Sequence, residues 1–279
     1  MVGKPVCPGK WDKLLVCTDG SPESQGAVVE AMALARTCGS RLFILQVLQI
    51  IPEFQAVAPD LMVRLEEEIL QQMEALKAEA ARLGITAQTR VRRSVSVFSA
   101  ILKEVEDLRP DLIIMGRYGR TGLARLLVGS VTARVIGHSP VNVLVIPQQA
   151  TLAFGRILVA SDGSDYSTAA WEEALTMAKR TGGLLFGVSV AQEEWDISPA
   201  QQIVHQMTVA AGLAGVALQG SVPQGQTPDD AIVQTALKKE VDLIILGSHG
   251  RTGLTRLLMG STTERVIGHS PRPVLVVKK

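Results

Sequence analysis

The 279-residue sequence has little cysteine, no excess of charge and no long apolar run. Cys7, Cys17 and Cys38 are its only cysteines, and no C-x-x-C pair occurs. An odd count without paired spacing argues against a disulfide framework or a thiolate zinc site, and fits a reducing, cytoplasmic setting. Cys17 falls in an apolar run and reads as a small core residue, while Cys7 lies near the terminus, where exposure is expected. Basic residues number 28 and acidic residues 27, so there is none of the basic excess that a phosphodiester partner demands. Nucleic acid is excluded as a first reading. Charged residues interrupt every apolar stretch before membrane-spanning length, and the first residues lack an apolar signal core, so no membrane partner is expected. Also missing is G-x-x-x-x-G-K-[ST], and with it a lysine aimed at the outer phosphates of a nucleotide.

What is present comes twice. Asp111 to Pro140 reads DLIIMGRYGRTGLARLLVGSVTARVIGHSP, and Asp242 to Pro271 reads DLIILGSHGRTGLTRLLMGSTTERVIGHSP. Of the 30 positions 23 are identical, at a constant offset of 131. Earlier, LLVCTDGS (Leu14 to Ser21) recurs as ILVASDGS (Ile157 to Ser164) at an offset of 143. The difference of 12 predicts a deletion of about that size in the second copy, between its second strand and its middle helix. A domain-sized period means a tandem pair and not a solenoid. The length agrees, at roughly 100–200 residues per domain. The division expected is 1–149 and 150–279, with Gln148–Gly155 as a short junction that keeps the two in contact.

Each copy alternates strand and helix. In the first, Leu14–Thr18 is an apolar run ending at Asp19-Gly20, and Ser21-Pro22 is an N-cap followed by proline at the first helical position. That helix ends near Cys38-Gly39. Leu42–Leu48 is a second strand. Asp60–Leu83 carries an apolar helical stripe closing at Gly84, Thr86–Arg92 is a third strand and Ser94–Leu108 a third helix. Leu112–Met115 is the fourth strand; a helix over 130–136 is expected to be capped by Gly137, and Asn142–Ile146 is the fifth strand. Runs such as LFILQV and LIIM are apolar without alternation, as parallel strands covered on both faces should be. The fold class is α/β, as two tandem doubly wound domains of Rossmann-like or flavodoxin-like type.

The motif with most chemistry in it is Gly116-x-x-Gly119, nine residues, then Gly129-Ser130, repeated as Gly247-x-x-Gly250 and Gly260-Ser261. Gly116 ends a strand, glycines let backbone amides approach a ligand, and a helix opening at Ser130 offers free N–H groups to an anion. Ser130 and Thr132 add hydroxyl donors. Glycines that only turn the chain, with Ser130 as a plain N-cap, are the bland alternative. Asp19 and its counterpart Asp162 tip the balance toward a ligand. With strand order 3-2-1-4-5, the first and fourth strands would flank the switch point where doubly wound sheets bind ligands. A carboxylate there can accept from ribose hydroxyls or an adenine amino group, although an Asp in a D-G-S turn can also serve only its own helix.

TDGSPES and SDGSDYS after the first strand, with G-x2-G-x9-G-S after the fourth, resemble the universal stress protein family over essentially the whole chain. The resemblance implies a five-stranded parallel sheet per domain, of order 3-2-1-4-5, and a site for ATP, or ADP or AMP, with magnesium arriving through the phosphates. Carried onto this sequence, the site comprises Thr18, Asp19, Val47, Met115, Gly116, Arg117, Gly119, Gly129, Ser130, Val131 and Thr132. In the second copy it comprises Ser161, Asp162, Val190, Leu246, Gly247, Ser248, Gly250, Gly260, Ser261, Thr262 and Thr263. Val47 and Val190 are the positions the resemblance places near adenine. It also implies pairing of domains through the fifth strand, here within one chain, with a homodimer as a further possibility. The first copy departs from the family pattern: Arg117-Tyr118 stands where the second has Ser248-His249, so Arg117 either adds a phosphate contact or blocks the pocket.

Other features rank below these. Arg120 and Arg251 sit inside the loops and could meet phosphate. His138 and His269, in Gly-His-Ser-Pro, read as helix-end residues. Asp229-Asp230 reads as a helix start and not a metal site. No catalytic residue is assigned, so a binding protein with a regulatory role in a stress response is expected. The alternatives are a slow ATPase or nucleotidyl-transfer enzyme and a nucleotide-free pairing module.

Overall fold

A computed structural model of the chain describes residues 6–52, 59–119, 128–250 and 259–279. The first half runs β1 (Lys13–Thr18), α1 (Pro22–Cys38), β2 (Arg41–Gln49), α2 (Pro59–Arg82), β3 (Ala87–Ser94), α3 (Val97–Leu108), β4 (Leu112–Gly116), α4 (Ser130–His138) and β5 (Val143–Ile146). The second runs β6 (Arg156–Ala160), α5 (Asp165–Thr181), β7 (Leu184–Val188), a 3-10 turn (Glu194–Asp196), α6 (Ile197–Leu213), β8 (Leu218–Ser221), α7 (Pro228–Lys238), β9 (Leu243–Gly247), α8 (Ser261–His269) and β10 (Val274–Val277). The central helix α6 has 17 residues against 24 in α2, so much of the shortening falls within the helix and not, as the offsets suggested, ahead of it.

All ten strands form one sheet, in the order β3-β2-β1-β4-β5-β10-β9-β6-β7-β8. Neighbours within each half are parallel. Only the seam is antiparallel, with Val143, Leu144 and Val145 opposite Val276, Leu275 and Val274. Alternate strand residues feed two aliphatic layers. Leu14, Val16, Leu42 and Ile44 pack on the side of α1, α2 and α5, while Leu15, Cys17, Phe43 and Leu45 pack on the side of α3 and α4. Each such side chain stabilises the fold by about 1.5–3 kcal/mol on burial. This explains runs that lack alternation.

Helix ends follow local chemistry. The Ser21 hydroxyl accepts from the Ser24 N–H and Gly39 closes α1 at φ +68°; Ser164 and Gly182 do the same for α5. Gly137 does not cap α4, contrary to expectation. The helix runs on to His138, and the Ser139 hydroxyl turns the chain by accepting from the Val141 N–H at 2.9 Å.

The seam is tied by polar contacts. The Lys278 backbone N–H donates to Asn142 Oδ1 at 2.9 Å, and the Lys278 ammonium donates to the Ile136 carbonyl. Burial pushes the Lys278 amine down to about 8. The junction lies against α1. The Leu152 N–H donates to the Glu30 carboxylate at 3.0 Å, and a Cβ on Gly26 would lie 2.4 Å from the Gln148 carbonyl oxygen.

One expectation from composition is overturned. Cys7 and Cys38 form a disulfide, with their Cα atoms 4.6 Å apart. The helical crossover α1 returns the chain to the starting edge of the sheet, beside the segment that precedes β1. The odd count is one pair plus the buried thiol of Cys17. Cysteine usage therefore gives no argument for a reducing setting.

Candidate functional site

In both halves the carboxylate after the first strand meets the loop after the fourth. A Cβ on Gly119 would lie 2.4 Å from Asp19 Oδ2, and one on Gly250 would lie 2.7 Å from Asp162 Oδ2. A side chain at either glycine would have to displace the carboxylate. The same carboxylates organise their own turns. Asp19 Oδ1 accepts from the Ser21 N–H at 3.0 Å and from the Ser21 hydroxyl at 2.5 Å; Asp162 Oδ1 accepts from the Ser164 N–H at 3.0 Å. Of the two readings of Asp19, the local one is seen in Oδ1, which serves the turn, while Oδ2 lies against the Gly119 position of the loop.

Thr18 and Ser161 brace the first turn of the following helix. Their hydroxyls lie 2.8 Å and 3.0 Å from those of Ser24 and Ser167, and accept from the N–H groups of Gly20 and Gly163. Gly116 and Gly247 make room for protein and not for a ligand. A Cβ would come 2.9 Å from the Glu23 carbonyl oxygen in one half and 2.7 Å from the Tyr166 carbonyl carbon in the other. Close approach to a phosphate is therefore not what selects glycine there. The Thr132 and Thr263 hydroxyls are likewise committed, donating to the Gly116 and Gly247 carbonyls at 3.0 and 2.9 Å. They lock α4 and α8 to the strand ends and are not the free donors expected of Thr132.

In the second half these parts surround a cavity of about 740 Å³. Ser161, Asp162, Val190, Leu246, Gly247, Gly250, Gly260, Ser261, Thr262 and Thr263 all line it. Its apolar lining comes from Val188, Val190, Ile232, Leu246 and Met259, and its polar lining includes the first turn of α8. Gly260 is the N-cap of that helix, with φ −62° and ψ 140° and no side-chain cap bond, so its leading N–H groups face the cavity. Ser248 does not line the cavity. It is wholly buried, with its N–H on the Val277 carbonyl and its hydroxyl 3.1 Å from His249 Nδ1.

Gln192, Asp196, Pro228, Ile232, His249 and Met259 line the cavity but were not singled out as site residues from sequence. The i,i+4 pair Pro228 and Ile232 on α7 was available as a helical signal. Gln192 and Asp196 follow β7 without a motif, and only tertiary packing brings them in.

In the first half Thr18, Asp19, Val47, Met115, Gly116, Gly119, Gly129, Ser130, Val131 and Thr132 hold the corresponding fold positions. Arg117 differs. Its guanidinium donates to the Gly268 carbonyl at 3.0 Å and to the Ser270 carbonyl, both beyond the seam. This neither adds a phosphate contact nor plugs the crevice: the side chain is spent on the other half. Burial lowers its pKa from the ordinary arginine value. Arg120 and Arg251 lie outside the described residues. Asp229 and Asp230 occupy the first turn of α7, as expected, and their carboxylates lie within 4.8 Å of a His269 ring nitrogen.

Residues 10–147 and again 153–278 match the model of the Universal stress protein family. The chain belongs to that family. A universal stress protein of Mycolicibacterium smegmatis is 26% identical over 289 residues, spanning 95% of this chain and 96% of its own. Another, MJ0531 of Methanocaldococcus jannaschii, is 33% identical over 142 residues, which is 45% of this chain and 83% of that protein. Among solved structures, a universal stress protein from Archaeoglobus fulgidus superposes with a TM-score of 0.77 at 25% identity, covering 98% of this chain and 97% of that one. The tandem α/β architecture is therefore shared along the full length.

Proposed function

We propose that this universal stress protein binds an adenine nucleotide in the crevice of its second half, and that occupancy of the site is its regulatory signal. The observation that carries the reading is the cavity's polarity. Apolar side chains, a carboxylate and a helix N-terminus all line the same space of about 740 Å³. Those surfaces suit a purine, a ribose and a phosphate chain, and the volume falls within the usual span of about 300–1,000 Å³ for small-molecule sites. Val190 and Ile232 would hold the base and Asp162 the sugar hydroxyls. Ser261 and Thr262, with the leading N–H groups of α8, would hold the phosphates. Magnesium would enter on the polyphosphate.

The first half, in a division at 1–149 and 150–279, offers the same plan through Asp19, Gly119 and Ser130. Val131 there replaces the hydroxyl of Thr262, and the Arg117 guanidinium is engaged across the seam. Two sites of unequal affinity follow. ATP is the ligand proposed, ahead of ADP and AMP, because Gly250 and the first turn of α8, with Gly260, Ser261 and Thr262, all line the cavity and could offer N–H groups to a polyphosphate.

The test is mass analysis of small molecules released when the purified protein is denatured, paired with calorimetric titration of ATP into stripped protein. Adenine nucleotide at one or two per chain supports the reading. An empty protein with no heat of binding and no thermal shift at millimolar ATP rejects it.

A further inference from the structure

The N-terminal segment is held at three points that nucleotide binding does not explain. Cys7 is joined to Cys38 in the last turn of α1. Trp11 is buried in the core layer on that side, and its carbonyl accepts from the Ser40 hydroxyl. The Cys7 carbonyl accepts from Arg180 Nε at 3.0 Å, in the last turn of α5 in the second half. Residues 7–11 therefore form a strap across the lower ends of α1 and α5. The disulfide ties it covalently to α1.

The third cysteine is set apart. Cys17 lies in β1 on the other face of the sheet, among Leu15, Phe43 and Leu45. Burial, with the charge of Glu104 adding to it, pushes its thiol up to about 12. A thiol so far from ionising does not attack a disulfide. The Cys7–Cys38 pair is protected from scrambling within the chain, yet both of its cysteines are partly exposed to solvent.

We propose that Cys7–Cys38 is a redox-operated clasp for this strap, opened by a dithiol reductant. One thiolate of the reductant attacks a sulfur of the pair, forming a mixed disulfide and releasing the other cysteine as a thiolate, which takes up a proton. The second thiol of the reductant then closes onto the first, leaving the reductant as a cyclic disulfide and both cysteines as thiols. Two electrons and two protons pass to the protein. Without the covalent link the strap keeps only the Trp11 anchor and the hydrogen bonds, and the Arg180 contact across the halves loosens.

The experiment uses the full-length protein, oxidised and then treated with dithiothreitol under native conditions. Maleimide should label no cysteine before reduction and two per chain after it, with Cys17 labelled only in denaturant. Trypsin reaches the exposed Lys10 only when buried Trp11 lifts away, so reduction should speed cleavage of the Lys10–Trp11 bond at least ten-fold and release the first ten residues. The melting temperature should fall by at least about 5 °C. A C7S/C38S double variant should match the reduced protein and ignore the reductant. Free thiols at Cys7 and Cys38 after oxidation would overturn the clasp. So would a melting point and Lys10 cleavage unchanged by reduction, or a double variant that still responds to the reductant.

Discussion

Arg117 and Ser248 occupy the same place in the two halves, directly after the glycine that ends the fourth strand of each. Arg117 leaves its own crevice and fastens to Gly268 and Ser270; Ser248 stays buried and steadies His249 beside the cavity. The corner behind the crevice has diverged in the same way. In the first half the Arg134 guanidinium lies 3.8 Å from the centre of the Phe98 ring, which also meets His138. In the second, Asp229 and Asp230 replace Phe98 and Ser99, and Arg265 turns to the Asp229 carboxylate at 3.7 Å. One duplicated frame thus holds a half whose Arg117 fastens the join and a half whose His249 lines the crevice. Cohesion across the seam falls to one copy, while the cavity of about 740 Å³ lies in the other.

That division can be broken from the nucleotide side first. Replacing Asp162 with Ala should weaken ATP binding at least ten-fold, about 1.4 kcal/mol, in calorimetric titration, whereas Asp19→Ala should cost less. Equal losses would mean that the halves still work as equals. Next, Gly250→Val forces a side chain against Asp162 and should lower ATP affinity by a similar or smaller factor, with little change in melting temperature. Gly119→Val should leave the stronger of two binding events intact.

The cohesive half is tested by Arg117→Ser, which makes the first loop resemble the second. Loss of charge-assisted bonds to two carbonyls should reduce stability by about 1.5–3 kcal/mol in urea unfolding, with the main ATP event retained. The smallest effect expected is a pH dependence at the seam. Lys278 has a folded-state pKa near 8, below its ordinary value of 10.5, so between these limits the unfolded chain binds more protons than the folded one. Stability should therefore rise as pH goes from 8 to 10. The rise should be a few degrees at most, because the amine is partly solvated, and it should vanish in Lys278→Met. A fall over that range would show that the amine is not desolvated by the seam.

How much of this was legible in the sequence depended on whether the cause was local. Helix starts at Ser21 and Ser164, and stops at Gly39 and Gly182, are written in the residues that make them. The repeat announced two like halves, and TDGS with the glycine loop announced which ends of the strands to watch. What composition could not show was that α1 returns Cys38 to Cys7, because disulfide pairing depends on where a crossover brings the chain. Nor could spacing show that Gly119 faces a carboxylate and Gly116 a helix. Both are glycines in one motif, and only packing separates their reasons. Gln192 and Asp196 reach the cavity from the segment that leads through the 3-10 turn into α6, with no motif to mark them.

The single antiparallel pairing, β5 with β10, reverses the direction of every strand across the middle of the sheet. The carboxyl ends of β1 and β4 therefore point one way and those of β6 and β9 the other. The molecule is two-faced: the strand ends that carry Asp19 and Asp162 lie on opposite rims, so ligands held at both, as proposed, would never touch or share a phosphate. A protein that senses both must reach around the sheet or come as a pair, and one that approaches from a single side reads a single half.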